Sequence, residues 1–281
     1  DLHSFPTRRS SDLHIVSNHL IGWSDFRTVG REEEYLLDAF RSGWVSGGTY
    51  VEKLESLTEQ IFSGSAAYSV ANGTLALQLA FQALGVGPGA EVIVPAFCFQ
   101  AGANVLKQLG AVPVFCDVDP LTWNQNVQTL EQALTPRTVG VLVVHNYGAS
   151  APVSEIAQWA ASKGLWMIED CAEAWFSKYR GKYLGQYGVL STFSMHATKP
   201  IASGEGGMVL SNDQDLRETL RLLRSHGLDR QRKHYLHLLA GNNYRLSNLL
   251  AAVAFAQLEC RQEICSEHYM EIGRASCRER V

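Results

Sequence analysis

Short apolar runs, each followed by an amphipathic segment, constrain this chain more than any other feature. AAYSVA (66–71), EVIVPAF (91–97), VPVFCDV (112–118), VGVLVVH (139–145) and LWMIED (165–170) are nearly continuous in apolar residues, and turn residues bound them. Runs this short and rich in β-branched residues read as strands. Helical patterns fall between them, at 74–84, 100–109, 127–134 and 154–163. A strand without polar alternation is buried on both faces. The pattern therefore predicts an α/β fold, a mostly parallel sheet flanked by helices on both sides. Upstream, REEEYLLDAFRSG (31–43) is acidic at its start and closed by glycine, and YVEKLESLTEQIF (50–62) repeats the helical pattern. Downstream come TFSMHATK, a glycine-rich turn, a strand GMVLSN (207–212) and helices over 214–224 and 246–261. No repeat, low-complexity tract or clean linker divides the chain.

Composition removes several classes of function. The formal net charge is −4, without a long run of one sign, so no basic surface offers itself to nucleic acid or anionic lipid. No apolar stretch approaches the roughly 18–20 residues that span a bilayer. The six cysteines (Cys98, Cys116, Cys171, Cys260, Cys265 and Cys277) form no CxxC and no paired framework. A reduced, cytoplasmic compartment is the expectation.

The two ends stand apart. HSFPTRRSSDL (3–13) and EIGRASCRERV (271–281) can be encoded by one oligonucleotide read in opposite orientations, and that oligonucleotide resembles a sequencing adapter. Residues 1–13 and 271–281 are therefore expected to be adapter translation and are set aside from fold reasoning. They should pack poorly. Arg8 and Arg9 suggest a targeting signal, but no apolar core accompanies them.

In open parallel sheets, ligands bind beyond the carboxyl ends of the strands. Asn72-Gly73-Thr74 lies between a strand and a helix, where free amides and a hydroxyl suit a phosphate. The same residues also read as an ordinary turn and cap. Asp170 ends an apolar strand, and Lys199 precedes a glycine-rich turn in SMHATKPIASGEGGMVL. Alone, the first reads as a helix cap and the second as a solvated lysine. GVGPG (85–89) lies between helix and strand, the wrong order for a dinucleotide fingerprint. His234 and His237 make an HxxH without a matching carboxylate cluster, so no metal site is expected. No GxSxG elbow is present.

Together these segments resemble the DegT/DnrJ/EryC1/StrS family of pyridoxal-phosphate aminotransferases. The resemblance runs in order through GWVSGG (43–48), NGTLALQLA (72–80), EVIVPAFCFQA (91–101), GAVPVFCDVD (110–119), VVHNYG (143–148) and IEDCAEA (168–174). It continues through TFSMHATKPIASGEGGMVLSN (192–212), RSHGLDR (224–230) and GNNYRLSNLLAAVAFAQLE (241–259), covering nearly all of 28–262. EDCAEA, SHGLDR and NYRLSN are most similar to the GDP-perosamine synthase-like branch.

The resemblance implies the aspartate aminotransferase-like (type I) fold, with residues 14–262 as a large domain carrying an N-terminal arm. It places the start of a truncated C-terminal region at 263–270, with most of a small domain missing. It implies pyridoxal 5'-phosphate as cofactor. Lys199 would bond the cofactor aldehyde and later move a proton. Asp170 would pair with the pyridinium nitrogen, so that the ring accepts electrons. Phe99 would stack on the ring, and Gly73, Thr74 and Ser194 would cradle the phosphate. Glu173 stands where many members carry Gln or His against the cofactor's 3' oxygen. Asn243 would reach the phosphate of a neighbouring subunit in a homodimer, with Arg245 shaping that edge, and His196 would shape the sugar pocket. Related dehydratases carry histidine in place of the lysine; this chain keeps Lys199, which favours transamination.

The implied substrates are a nucleotide-linked keto sugar and an amino-acid donor, L-glutamate being expected. The implied setting is amino-sugar biosynthesis for surface polysaccharides or natural products, without nucleic-acid or membrane partners. An aminotransferase acting on an inositol- or aminoshikimate-type cyclic ketone is the enzyme alternative. A non-catalytic ligand-binding regulator of the same fold is the other; it would be expected to lose the lysine or the aspartate.

Overall fold

A computed structural model of the chain describes residues 26–229 and 235–266. The expectations for residues 1–13 and 271–281, and for Arg230, His234 and Cys277, lie outside the described residues. The main sheet has seven strands: β1 (Ala66–Val70), β2 (Glu91–Pro95), β3 (Val112–Cys116), β4 (Thr138–Val144), β5 (Trp166–Asp170), β8 (Leu190–Ser194) and β9 (Gly207–Ser211). A two-stranded hairpin, β6 (Lys178–Tyr179) with β7 (Lys182–Tyr183), stands apart from it. The order across the sheet is β1-β9-β8-β5-β4-β2-β3. Only β9 runs against the others, pairing antiparallel with β1 and β8. The sequence pattern places six of the seven strands, gives no bounds for β8, and carries no sign of that reversal. It also misses the hairpin, whose two-residue strands have no periodicity to read.

Alternation along the strands divides the core into two layers. Val92, Val94, Leu142, Ile168, Leu190 and Val209 face one side. There they meet α3 (Gly73–Ala83), α4 (Ala101–Gln108) and α7 (Leu216–Arg224) through Leu77, Leu79, Val105, Leu106, Leu220 and Leu223. The alternate residues Ile93, Val141, Val143, Met167, Met208 and Leu210 face the other side. Here lie α2 (Thr49–Ile61), α5 (Val127–Ala133), α6 (Val153–Ser162) and α8 (Asn248–Glu259), with α1 (Glu32–Arg41) packed on α8. Side chains two residues apart share a strand face, so one run of apolar residues serves both layers.

Helix α8 ties the amino-terminal segment to the sheet. The Asn248 carboxamide accepts from the Tyr50 amide at 3.0 Å and donates to the Trp44 carbonyl at 2.7 Å. The GWVSGG stretch is thus pinned to the NYRLSN stretch, 200 residues on. Along and just before α8, Leu246 and Leu258 are buried, and the partly buried Leu249, Leu250 and Phe255 pack against the core. The exposed apolar side chains of this region are Leu36, Leu37, Phe40, Trp44 and Val45, on and just after α1. Among the described residues, no helix is long and apolar enough to cross a membrane.

Candidate active site

β1, β2, β4, β5 and β8 point the same way, so the loops that follow them share one edge of the sheet. They enclose a cleft of about 770 Å³. Gly73, Thr74, Phe99, Asp170, Glu173, Ser194, His196 and Lys199, distant in sequence, all line it.

One wall is the start of α3. Asn72 caps the helix, its side chain accepting from the Leu75 amide at 2.9 Å. The Gly73 and Thr74 amides come earlier in the helix and have no acceptor within it. Two glycines bring this turn against the sheet. A Cβ on Gly73 would lie 3.0 Å from the Ser194 Cβ, and one on Gly207 would lie 2.4 Å from the Asn72 carbonyl oxygen. Gly73, Thr74 and Ser194 thus line one part of the cleft at a helix N-terminus, an arrangement suited to a phosphate.

The floor is β5 and β8. Asp170 ends β5, and its carboxylate accepts from the Ala172 amide at 3.0 Å. Burial pushes its pKa above the usual carboxylate range, opposed by that amide and by Lys199, while the negative Glu173 adds to the rise. A cation brought beside Asp170 would reverse the shift. In register on the neighbouring strand is Thr192, which also lines the cleft. Its buried hydroxyl has no hydrogen-bond partner among the described residues.

Lys199 sits in the loop between β8 and β9. That loop is closed by backbone bonds from Met195 to Gly206 (2.8 Å) and from Ala197 to Gly204 (3.0 Å). The Lys199 Nζ lies 3.0 Å from Glu173 Oε1. Glu173 Oε2 accepts from the Tyr147 amide at 2.9 Å, so the carboxylate joins three loops. A phosphate cradle, a carboxylate at the floor, an unpartnered hydroxyl beside it and an amine across from it fit a phosphorylated ring with a cationic nitrogen and an aldehyde.

Behind this floor is a buried group that sequence reasoning overlooked. His145, Glu169 and Cys171 bring their ligand-type atoms within 4.8 Å of one another. Their hydrogen bonds explain them without an ion. Glu169 accepts from the Gly185, Tyr187 and Gly188 amides at 2.8, 2.6 and 2.8 Å, and lies 3.2 Å from His145 Nε2. His145 Nδ1 accepts from the Ala151 amide, so the ring proton is on Nε2 and is donated to Glu169. Burial raises the Cys171 thiol well above its ordinary value, and a protonated thiol is a poor metal ligand.

Two other lining residues, Phe97 and Tyr147, were also missed, together with Trp123, which packs on both. Phe97, Trp123 and Tyr147 form an exposed aromatic trio with centroid separations of 5.8, 6.5 and 5.9 Å. Asn146 holds it by donating to the Phe97 and Trp123 carbonyls at 3.0 and 2.9 Å. Period-two spacing from Ser194 was the available signal for Thr192. The aromatic trio is assembled by loops and left none.

Asn243 does not line the cleft of its own chain. It is exposed, bridges to Ser225, and accepts from Arg245 Nε at 2.8 Å. His237, the described half of the HxxH, bonds the His226 carbonyl through Nδ1 at 2.8 Å.

Sheet order and cleft position define an aspartate aminotransferase-like large domain, and solved structures agree. A crystal structure of 3-amino-5-hydroxybenzoic acid synthase matches with a TM-score of 0.79 and 37% identity, over 83% of this chain and 62% of that one. Helicobacter pylori PseC, an aminotransferase involved in pseudoaminic acid biosynthesis, matches with a TM-score of 0.81 and 27% identity, over 86% of this chain and 66% of that one. Residues 28–270 match the model of the DegT/DnrJ/EryC1/StrS aminotransferase family, and the chain belongs to that family. The GDP-perosamine synthase of Escherichia coli O157:H7 is 42% identical over 239 residues, 85% of this chain and 65% of the relative. That of Caulobacter vibrioides is 41% identical, over 83% of this chain and 63% of the relative. The chain thus spans just under two thirds of the length of these relatives.

Proposed function

We propose that the whole protein is a pyridoxal-phosphate-dependent aminotransferase that moves an amino group from an amino acid, L-glutamate being the expected donor, to a keto sugar carried by a nucleotide. The observation that carries this reading is the meeting of Lys199, Glu173, Asp170 and the Gly73–Thr74–Ser194 cradle in one cleft. The GDP-perosamine synthase relatives favour a nucleotide sugar. Within the proposal, residues 14–262 form the large domain, and the enzyme works in the cytoplasm as a two-fold dimer, the commonest closed symmetry.

When bound, the cofactor supplies an aldehyde that exchanges amines and a ring that accepts an electron pair. The protein's part is to hold and to move protons. The Gly73 and Thr74 amides, with Thr74 and Ser194 hydroxyls, fix the phosphate. Asp170 would keep the ring nitrogen protonated, and Phe99, which lines the same cleft, would stack on the ring. Lys199 would hold the aldehyde carbon, and its amine would be the group that moves a proton at the donor's α-carbon. Glu173 orients the Lys199 amine and the ring's oxygen edge. Asn243 would complete the phosphate site of the partner subunit, with Arg245 supporting its carboxamide and His196 at the sugar end.

A second reading is an aminotransferase for a cyclic ketone. The 3-amino-5-hydroxybenzoate synthase of Amycolatopsis mediterranei, 38% identical over 81% of this chain, favours it. Product analysis with nucleotide-linked keto sugars and cyclic ketones separates the two. A regulator reading has a similar relative, a pleiotropic regulatory protein of Geobacillus stearothermophilus, 41% identical over 77% of this chain. Lys199 and Asp170 are both kept, which favours an enzyme. The first test is borohydride reduction of the protein with pyridoxal phosphate, followed by peptide mapping. The label is expected on Lys199; a label on another lysine contradicts the assignment.

A further inference from the structure

The hydroxyls buried in the sheet and beside it are bonded. Ser69 donates to Glu55, Ser191 to the Gly185 carbonyl at 2.9 Å, and Ser211 to the Asp213 carbonyl at 2.7 Å. Thr58 donates to the Leu54 carbonyl at 2.7 Å. Thr192 is the exception: it is 1% exposed, and among the described residues its hydroxyl is the one buried hydroxyl without a partner. The other two buried unpartnered atoms are Nε atoms of Arg217 and Arg224, whose terminal nitrogens are bonded to the Gly64 and Ser69 carbonyls.

An unpaired buried hydroxyl is costly, and valine would fill the same space without that cost. Position decides what the hydroxyl is for. Thr192 is the register partner of Asp170 on parallel strands, so the two side chains stand side by side on one face. The Thr192 carbonyl is already used by the Cys171 amide at 2.8 Å, leaving the side chain as the open group. Among the described residues, Asp170 accepts one hydrogen bond, from the Ala172 amide, and has an oxygen to spare.

We propose that Thr192 is a positioning residue: its hydroxyl donates to the Asp170 carboxylate once that carboxylate pairs with the cationic ring nitrogen of the bound cofactor. The inference rests on the cofactor reading above. A carboxylate held ionised by a ring cation is a strong acceptor, and the added bond fixes its angle to the ring. The cost of the bare hydroxyl in the free protein is recovered when the cofactor binds.

The test compares wild type, Thr192→Val and Thr192→Ser by two readouts taken on the same preparations. One is the melting temperature without cofactor; the other is the dissociation constant for pyridoxal phosphate, followed by absorbance. Thr192→Val should melt higher, by roughly 2–4 °C, while binding the cofactor about tenfold more weakly. Thr192→Ser should bind within about threefold of wild type, since the hydroxyl is restored. Opposite signs in the two readouts are what a purely structural threonine would not give. Thr192→Val binding as tightly as wild type, or melting lower than wild type without cofactor, overturns the proposal. Wild type that does not bind pyridoxal phosphate overturns the cofactor reading and this inference with it, whereas tight wild-type binding with an unchanged Thr192→Val overturns this inference alone.

Discussion

Two carboxylates follow one another in β5, and the fold treats them in opposite ways. Glu169 faces the layer behind the sheet, is fully buried, and accepts from three backbone amides and from His145. Asp170 faces the cleft and, among the described residues, has a single amide donor, Ala172. Successive side chains on a strand point to opposite faces, so adjacent acids meet unrelated surroundings. The saturated one closes the loop Gly185–Gly188 onto the sheet and holds His145 in one tautomer. The under-bonded one has burial raising its pKa and polar capacity left over, as expected of a group that awaits a ligand. Equal chemistry thus serves structure on one face and binding on the other.

The hardest blow to that contrast is Glu169→Ala. It would leave the His145 N–H and three backbone amides without an acceptor in a dry interior. A loss of about 3–5 kcal/mol is expected, with little folded protein accumulating. Urea unfolding monitored by tryptophan fluorescence measures it. A change under about 1 kcal/mol would show that Glu169 is not the structural member of the pair.

Asp170→Asn should do the reverse, sparing the fold and costing the ligand. The amide removes a charge that burial disfavours, so unfolding free energy near neutral pH should hold or rise, while pyridoxal-phosphate affinity should drop by about tenfold or more. The pH dependence carries a sign. The native state keeps the Asp170 proton to higher pH than the unfolded chain does. Below the unfolded value, about 3.9, both states are protonated and the group is neutral in effect. As pH rises from there through the raised native value, stability is lost, and beyond it the loss is constant. Wild type should therefore lose stability relative to Asp170→Asn over that interval when unfolding is measured at a series of pH values. A loss as large as that of Glu169→Ala would erase the distinction between the two faces.

How much of this was readable beforehand follows from how local each signal is. Six of the sheet's seven strands were legible because burial on both faces leaves an unbroken apolar run, as in EVIVP and GVLVV. Lys199, Asp170, Gly73 and Ser194, which line one cleft, were singled out because each sits in a short segment resembling the family. The saturation of Glu169 was not legible, because its donors lie 16–19 residues away in a loop with no periodicity. The reversed β9 was equally hidden: a strand buried on both faces looks the same in either direction. Asn243 shows the converse limit, since a residue proposed for a neighbouring subunit is placed by motif and not by the geometry of one chain.

The smallest effect should come from Glu173→Gln, at the solvent side of the same cleft. Its ion pair with Lys199 spans 3.0 Å, with the side chains 20% and 39% exposed. Pairs so open to water contribute about 0–1 kcal/mol, because solvent screens the attraction and two side chains must be held still. Glutamine keeps an oxygen for the Tyr147 amide, so the contact between loops survives. Unfolding free energy should change by less than about 1 kcal/mol, and that difference should shrink further between roughly 0.05 and 1 M salt as the Debye length contracts. The stability difference for Asp170→Asn, set by burial, should barely respond to the same salt series. If the two respond alike, Asp170 is as well solvated as Glu173, and the contrast within β5 is one of exposure instead of unmet bonding.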